Sequence, residues 1–231
     1  RLWNERVNSE PKTDLISIDN KHFLSTNIIY TGVHFNSIKQ LITKKDLVDL
    51  DFIIWFKTQS SDIQLSDIYF NNADPQPKIT SLEKKQLGNL IYERVHVNGT
   101  FKTNAFKKPA PFQSHFIGIE FRHLTKDQSN LIYVVDQDAA QETSINQSML
   151  NAIKSNKAMN TIKKWKANYL HIIPDVQAAP NYGTQQSFES PHQYFSTLSF
   201  ILEIAQDKLT IRRVLNTKYL TFFKAITLIL F

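Results

Sequence analysis

The 231-residue chain contains no cysteine. A disulfide framework, a thiolate zinc or iron–sulfur centre and a cysteine nucleophile are therefore excluded. Secreted eukaryotic β-domains of this size often use disulfides, so the absence also fits a bacterial origin. Glycine is nearly as scarce. Five scattered glycines cannot build the loop whose backbone amides cradle a phosphate. No G-x-S-x-G elbow occurs. The seven histidines (22, 34, 96, 115, 123, 171 and 192) never fall at H-x-x-x-H or H-E-x-x-H spacing. Neither sign of charge dominates: 27 Lys and Arg against 21 Asp and Glu leave +6, which permits an anionic partner without requiring one. The apolar run at Tyr219–Phe231, YLTFFKAITLILF, has 13 residues, short of the ~20 that a membrane helix needs. By itself it reads either as a final buried strand or short core helix, or as a membrane helix cut by the boundary. Both ends read as cut: Arg1 is not an initiator methionine, and no apolar segment near it resembles a signal peptide.

What remains is ordinary globular material. Hydrophobic residues make up 42% and charged residues 21%, enough apolar side chains for a core and too many for disorder. The segments between the few glycines and prolines are short and rich in Ile, Val, Phe and Tyr. Asn27–Ile38 alternates, with Ile29, Thr31, Val33 and Phe35 on one face and Tyr30, Gly32, His34 and Asn36 on the other. Leu50–Lys57 is a denser apolar run, the pattern of a strand covered on both faces. Tyr92–Thr103 alternates through Val95, Val97 and Phe101, with a bulge or bend expected at Asn98-Gly99. Phe116–Arg122, Asn130–Asp136, Trp165–Ile173 and Thr197–Ala205 complete the strands. Helix signals are confined to Ser81–Leu90, around Leu82, Leu87 and Leu90, and to one or two turns within Ser144–Lys164. Short strands bounded by polar turns predict one antiparallel all-β sandwich, without internal repeats.

Few residues carry obvious chemistry. His34 and His96 fall on strands, where a solvent-facing or hydrogen-bonded imidazole is the simpler reading than a metal ligand. Asp136 and Asp138 could pair as acid and base or bind a cation, but a loop opening on solvated carboxylates explains them more simply. Lysines 154, 157, 163, 164 and 166 form the strongest local charge cluster, with Trp165 the one aromatic inside it. Nucleic-acid binding would want such lysines interleaved with stacking aromatics, so a solvated surface is the better reading. The sequons at Asn98 and Asn146 matter only in a eukaryotic secretory setting. No metal or cofactor is called for. No convincing carboxylate pair for a glycosidase exists either, and an enzyme is not expected.

A family resemblance lies in the order of the strands. Phe101–Phe121, FKTNAFKKPAPFQSHFIGIEF, resembles the stretch of pentameric ligand-gated ion channels that passes through the F-P-F-D-x-Q loop into an alternating strand; Pro111-Phe112 keeps its central pair. Asp67–Asp74, DIYFNNAD, is similar to the family's P-D-I…N-N-A-D segment, and Leu50–Lys57 with Trp55 is similar to its second strand. Trp165 begins a segment like the ninth strand, and Tyr194–Phe200 resembles the approach to the tenth. Arg212-Arg213 and the run from Tyr219 then stand where the family has a basic residue before its first membrane helix. The match is collinear from about Asn27 to the last residue. It departs in the missing cysteine pair, in Gln113 for the loop's aspartate, in His115 for its glutamine, and in Pro75-Gln76-Pro77 for an aromatic residue. Residues 1–26 do not align and read as a linker or unassigned segment.

The resemblance implies an immunoglobulin-like sandwich of about ten strands over 27–217, with a truncated first membrane helix at 218–231. It implies a homopentamer in a bacterial inner membrane, this domain in the periplasm, and a small-molecule agonist bound between neighbours to gate a pore. One subunit would present Tyr69 and Phe70, the Arg122–Asn130 segment with His123, and the hairpin tip Asn181–Tyr194 with Tyr182, Phe188, Tyr194 and the adjoining Phe195. These aromatics would form a cage for a cationic or amphipathic ligand, and Trp55 with Lys57 would face it from the next subunit. Coupling to the pore would use Asp46, Pro111, Phe112, Gln113, Arg212 and Arg213, with Asp46 a candidate partner for either arginine. The alternative is a soluble, pore-less ligand- or carbohydrate-binding sandwich module.

Overall fold

The computed structural model describes residues 15–18, 21–24, 26–61, 63–103, 114–139, 144–180 and 192–206. Eleven strands and one α-helix are present among them. A separate hairpin pairs β1 (Leu15–Ile18) with β2 (Lys21–Leu24), in a segment that the sequence left unassigned. The main body is β-sandwich-like. A five-stranded sheet has the order β6 (Lys78–Leu87), β7 (Leu90–Lys102), β4 (Leu47–Thr58), β3 (Asn27–Ile42) and β9 (Leu131–Val135). A four-stranded sheet has the order β10 (Trp165–Pro180), β11 (His192–Gln206), β8 (Ser114–His123) and β5 (Ile68–Phe70). All pairings are antiparallel except that of β3 with β9.

Alternation sets which face is buried. Along β4 every second residue from Val48 to Thr58 is buried, while Ile53, Trp55 and Lys57 on the other face are half-buried. The expected double coverage is thus partial. β3 follows its predicted faces, with Ile29, Thr31, Val33 and Phe35 inward. Between the sheets, Phe52, Phe70, Phe101 and Phe121 meet ring to ring, and Phe121 continues the contact to Phe56, Tyr133 and Phe200. These rings are each almost wholly buried and together form the largest block of the core.

Beyond Thr31, β3 has lost β9 as a neighbour, and an open edge would invite pairing with another chain. Here α1 (Ile145–Ser155) and the 3-10 turn Asn160–Ile162 cover it. The Ile38 amide donates to the Ala158 carbonyl at 2.8 Å, and the Thr161 hydroxyl donates to Ile38. Ser144 caps the helix by accepting from the Gln147 amide. Leu150 and Ile153 enter the core, and α1 also packs on β10. The helix is longer than the one or two turns expected.

Three other expectations change. Ser81–Leu90 is not helical: Ser81–Leu87 belongs to β6, and Gly88, at φ 61°, turns the chain into β7. Leu82 and Leu87 are exposed, so the helix-like spacing buries nothing, whereas the ion pairs Lys84–Glu93 and Arg94–Glu83 join the two strands. No bulge interrupts β7 at Asn98-Gly99, which pair in register with Asp51 and Leu50. Gly99 is small because Pro77 packs on it; a Cβ there would lie 2.5 Å from the proline's. Finally, β10 and β11 run several residues past their predicted outer ends. Pro174 is tolerated because β10 lies at a sheet edge.

Candidate ligand-binding site

The register of the four-stranded sheet brings together three segments distant in sequence. Tyr69 on β5 and Thr197 on β11 both pair with Arg122 on β8. Side chains alternate, so Phe195, two residues before Thr197, shares their face. The Arg122 guanidinium lies 4.9 Å from the Tyr69 ring centroid and 4.3 Å from that of Phe195. Its Nη1 donates to the carbonyls of His123 and Leu124 at 3.0 and 3.3 Å. Burial pulls the guanidinium pKa down, and the Tyr69 hydroxyl opposes that pull. Two backbone bonds tie the segments beyond the sheet: Leu124 donates to the Asp67 carbonyl at 2.8 Å, and Gln128 to that of Tyr194 at 2.7 Å.

The expected site residues divide around this point. Tyr69 is half-buried and Phe195 almost fully buried against Arg122, while Tyr194, next along β11, has the opposite parity and is 52% exposed. Phe70 points the opposite way and is wholly buried among Phe52, Phe101 and Phe121; it shapes the core beneath the site and offers no ligand surface. His123 is also inward and 1% exposed. Its Nδ1 accepts from the amides of Thr125 at 3.2 Å and Lys126 at 2.9 Å, so this ring folds the turn after β8. The Nε2 has no hydrogen-bond partner and lies 3.9 Å from Asp67. Burial lowers the His123 pKa, Asp67 works against that, and Lys126 and Arg122 add to it. Below the same turn, Tyr133 is buried with its hydroxyl unpartnered, and burial pushes that hydroxyl's pKa up. Tyr182, Phe188, Pro111, Phe112, Gln113, Arg212 and Arg213 lie outside the described residues. Asp46 sits in the β3–β4 turn at φ 52°, its carbonyl accepting from the Thr103 amide.

A second cluster lies on the outer face of the five-stranded sheet. The Trp55 indole Nε1 donates to Asp136 at 2.8 Å, and the Lys57 ammonium reaches both Asp136 and Asp138 at about 3 Å. Asp138 is solvated as expected, but Asp136 is only 3% exposed. Its charge is held by this tryptophan and lysine, which corrects the reading of both carboxylates as a solvated loop. Burial lowers the Lys57 pKa, but the bonds to Asp136 and Asp138 outweigh it and raise the pKa above the usual lysine value. Next to Trp55, a cavity of about 160 Å³ opens between β3 and α1, lined by Val33, Phe35, Met149 and Ile153 with His34 and Ser148 as polar edges. His34 and His96 have hydrogen-bonding neighbours in Asn156 and Asp51, as their strand positions predict.

Arg122, Lys57 and Asp136 are the functional candidates that sequence reading undervalued. The one local signal was an arginine on the outward parity of a strand whose next residue is an inward histidine. Among the described residues no group of three or more His, Asp or Glu could hold a metal ion, and no helix is long and apolar enough to cross a membrane. Compared with known proteins, the chain matches no family model and no curated sequence.

Proposed function

We propose that the chain is the periplasmic ligand-binding domain of a bacterial pentameric ligand-gated ion channel subunit, an immunoglobulin-like sandwich that binds a small ligand where two subunits meet. The observation that carries this reading is the convergence of Tyr69, Arg122 and Phe195 at one end of the four-stranded sheet. The resemblance places those three segments on one side of an intersubunit cleft. Trp55 and Lys57, assigned to the opposing side, lie on an outer sheet face with Asp136 and Asp138. On that face Lys57 offsets one of the two carboxylates, and the single negative charge left opposes the positive charge of Arg122 across the proposed cleft, which favours specific docking.

The far end of the sandwich supports the membrane part of the reading. There β11 finishes at Gln206, opposite Trp165 of β10, and the β3–β4 turn lies at the matching end of the other sheet. Lys44, Lys45, Lys157, Lys163 and Lys164 are exposed around it. In the sequence the apolar run from Tyr219 comes after β11. A basic rim suits an anionic membrane surface.

The test is native mass spectrometry of the 231-residue chain released from detergent micelles. A particle five times the mass of one chain is expected. A monomer at every concentration would overturn the channel reading and leave a soluble binding module.

A further inference from the structure

We infer that the site around Arg122 receives a carboxylate, not a cation. This rests on reading that end of the sheet as a ligand site, and it names the chemistry of the ligand. Aromatic rings attract a cation through their negative faces. Here the two described rings already hold one, because the Arg122 guanidinium lies between Tyr69 at 4.9 Å and Phe195 at 4.3 Å. A second cation would meet a fixed positive charge where the cage should be.

The same arrangement suits an anion. A guanidinium carries five N–H donors in a planar fork. Among the described residues only Nη1 is engaged, by the carbonyls of His123 and Leu124, and no carboxylate there is within ion-pair distance of Arg122. Glu120, two residues along the same face of β8, is occupied by Asn71 at 2.8 Å and approached by Ser199 at 3.5 Å. Structural stacking alone would explain the rings, but it leaves a half-buried charge without a counter-ion among the described residues. Burial of that charge already disfavours it, and an incoming carboxylate would relieve the penalty. The rings fix the plane of the fork, so a planar carboxylate can bind two N–H groups side by side. One positive charge is matched by one negative charge, which favours a monocarboxylate over a phosphate dianion.

The experiment uses the full chain with nitrogen-15 arginine and two probes of nearly equal size and opposite charge, propionate and propylammonium, at neutral pH and matched ionic strength. Propionate is expected to move one arginine Nε–H resonance saturably, with a millimolar dissociation constant. That resonance should be the one missing from the Arg122→Lys spectrum. Propylammonium should bind at least about tenfold more weakly. Arg122→Lys keeps the charge but loses the fork, and should weaken propionate by about tenfold with the circular dichroism spectrum unchanged. No saturable shift, or a preference for propylammonium in the unaltered chain, would overturn the inference. Sedimentation of the same samples separates the two ideas. Propionate binding by a chain that never assembles sustains the anion site and sinks the channel; a pentamer indifferent to propionate does the reverse.

Discussion

At the scale of single residues, the Trp55–Lys57–Asp136 cluster depends on a glycine that has no turn to make. Gly32 pairs across the strands with Trp55, and a Cβ at Gly32 would lie 2.0 Å from the indole Cζ2. The indole therefore lies over the bare backbone of β3 and directs Nε1 at Asp136. Moving it would leave a buried carboxylate with Lys57 as its remaining side-chain donor, and buried acceptors are costly to strand. Gly32→Ala should lower stability by about 2 kcal/mol, the usual penalty of an overpacked site, read as a shift in urea midpoint at constant slope. In a Trp55→Phe background the same change should cost clearly less. An equal cost in both backgrounds would mean that the strand itself, not the indole, rejects the methyl group.

The turn after β8 belongs to the scale of elements, and one buried histidine holds it. Because His123 Nδ1 accepts two backbone amides, the neutral ring must carry its proton on Nε2. Protonating Nδ1 would turn the acceptor into a donor facing two other donors. Burial, first among the causes, sets the folded pKa below the ordinary value of 6.5. As pH falls, the unfolded chain takes up this proton before the folded one does. The stability owed to neutral His123 is therefore complete above about pH 6.5 and is lost as pH falls through the lower folded pKa. His123→Gln should lose about 1–3 kcal/mol at neutral pH and show a flatter decline between pH 7 and 5 in chemical denaturation. A variant with an unchanged acid slope would assign that slope to other groups. What the sequence reveals differs from element to element for physical reasons. β3 and β4 are legible because each buries one face, so a period of two is written into their side chains. β6 is an edge strand with little to bury, and its leucines happen to fall at helical spacing; its pairing depends on β7, which no local pattern encodes. The candidate site was legible as a set of segments through the family resemblance, but not as chemistry. Which side chains share a face is decided by the register of β5, β8 and β11, and only that register shows Arg122 filling the space between the aromatics.

For the whole molecule, the two ends of the sandwich carry different electrostatics. The end with the β6–β7 turn has lysines too, but Lys84 and Lys85 are paired with Glu93 and Glu83. At the other end Lys44, Lys45, Lys163 and Lys164 are exposed, and no ion pair to a carboxylate involves them among the described residues. Each lysine near an anionic bilayer contributes ~1 kcal/mol, and the field decays within about a Debye length. Only lysines at the end proposed to face the membrane would therefore contribute, which makes orientation measurable. The full chain should bind phosphatidylglycerol vesicles more tightly than phosphatidylcholine vesicles in flotation assays, with the difference shrinking as salt is added. Replacing Lys44, Lys45, Lys163 and Lys164 by glutamine should reduce that preference by about tenfold or more. The matched change Lys84→Gln with Lys85→Gln should leave it nearly intact. Any insertion by the Tyr219–Phe231 run is common to all variants and both lipids, so it cancels in the comparison. If the two sets of substitutions acted equally, the basic rim would have no orientation relative to the bilayer, and the membrane would have to be met through the apolar run alone.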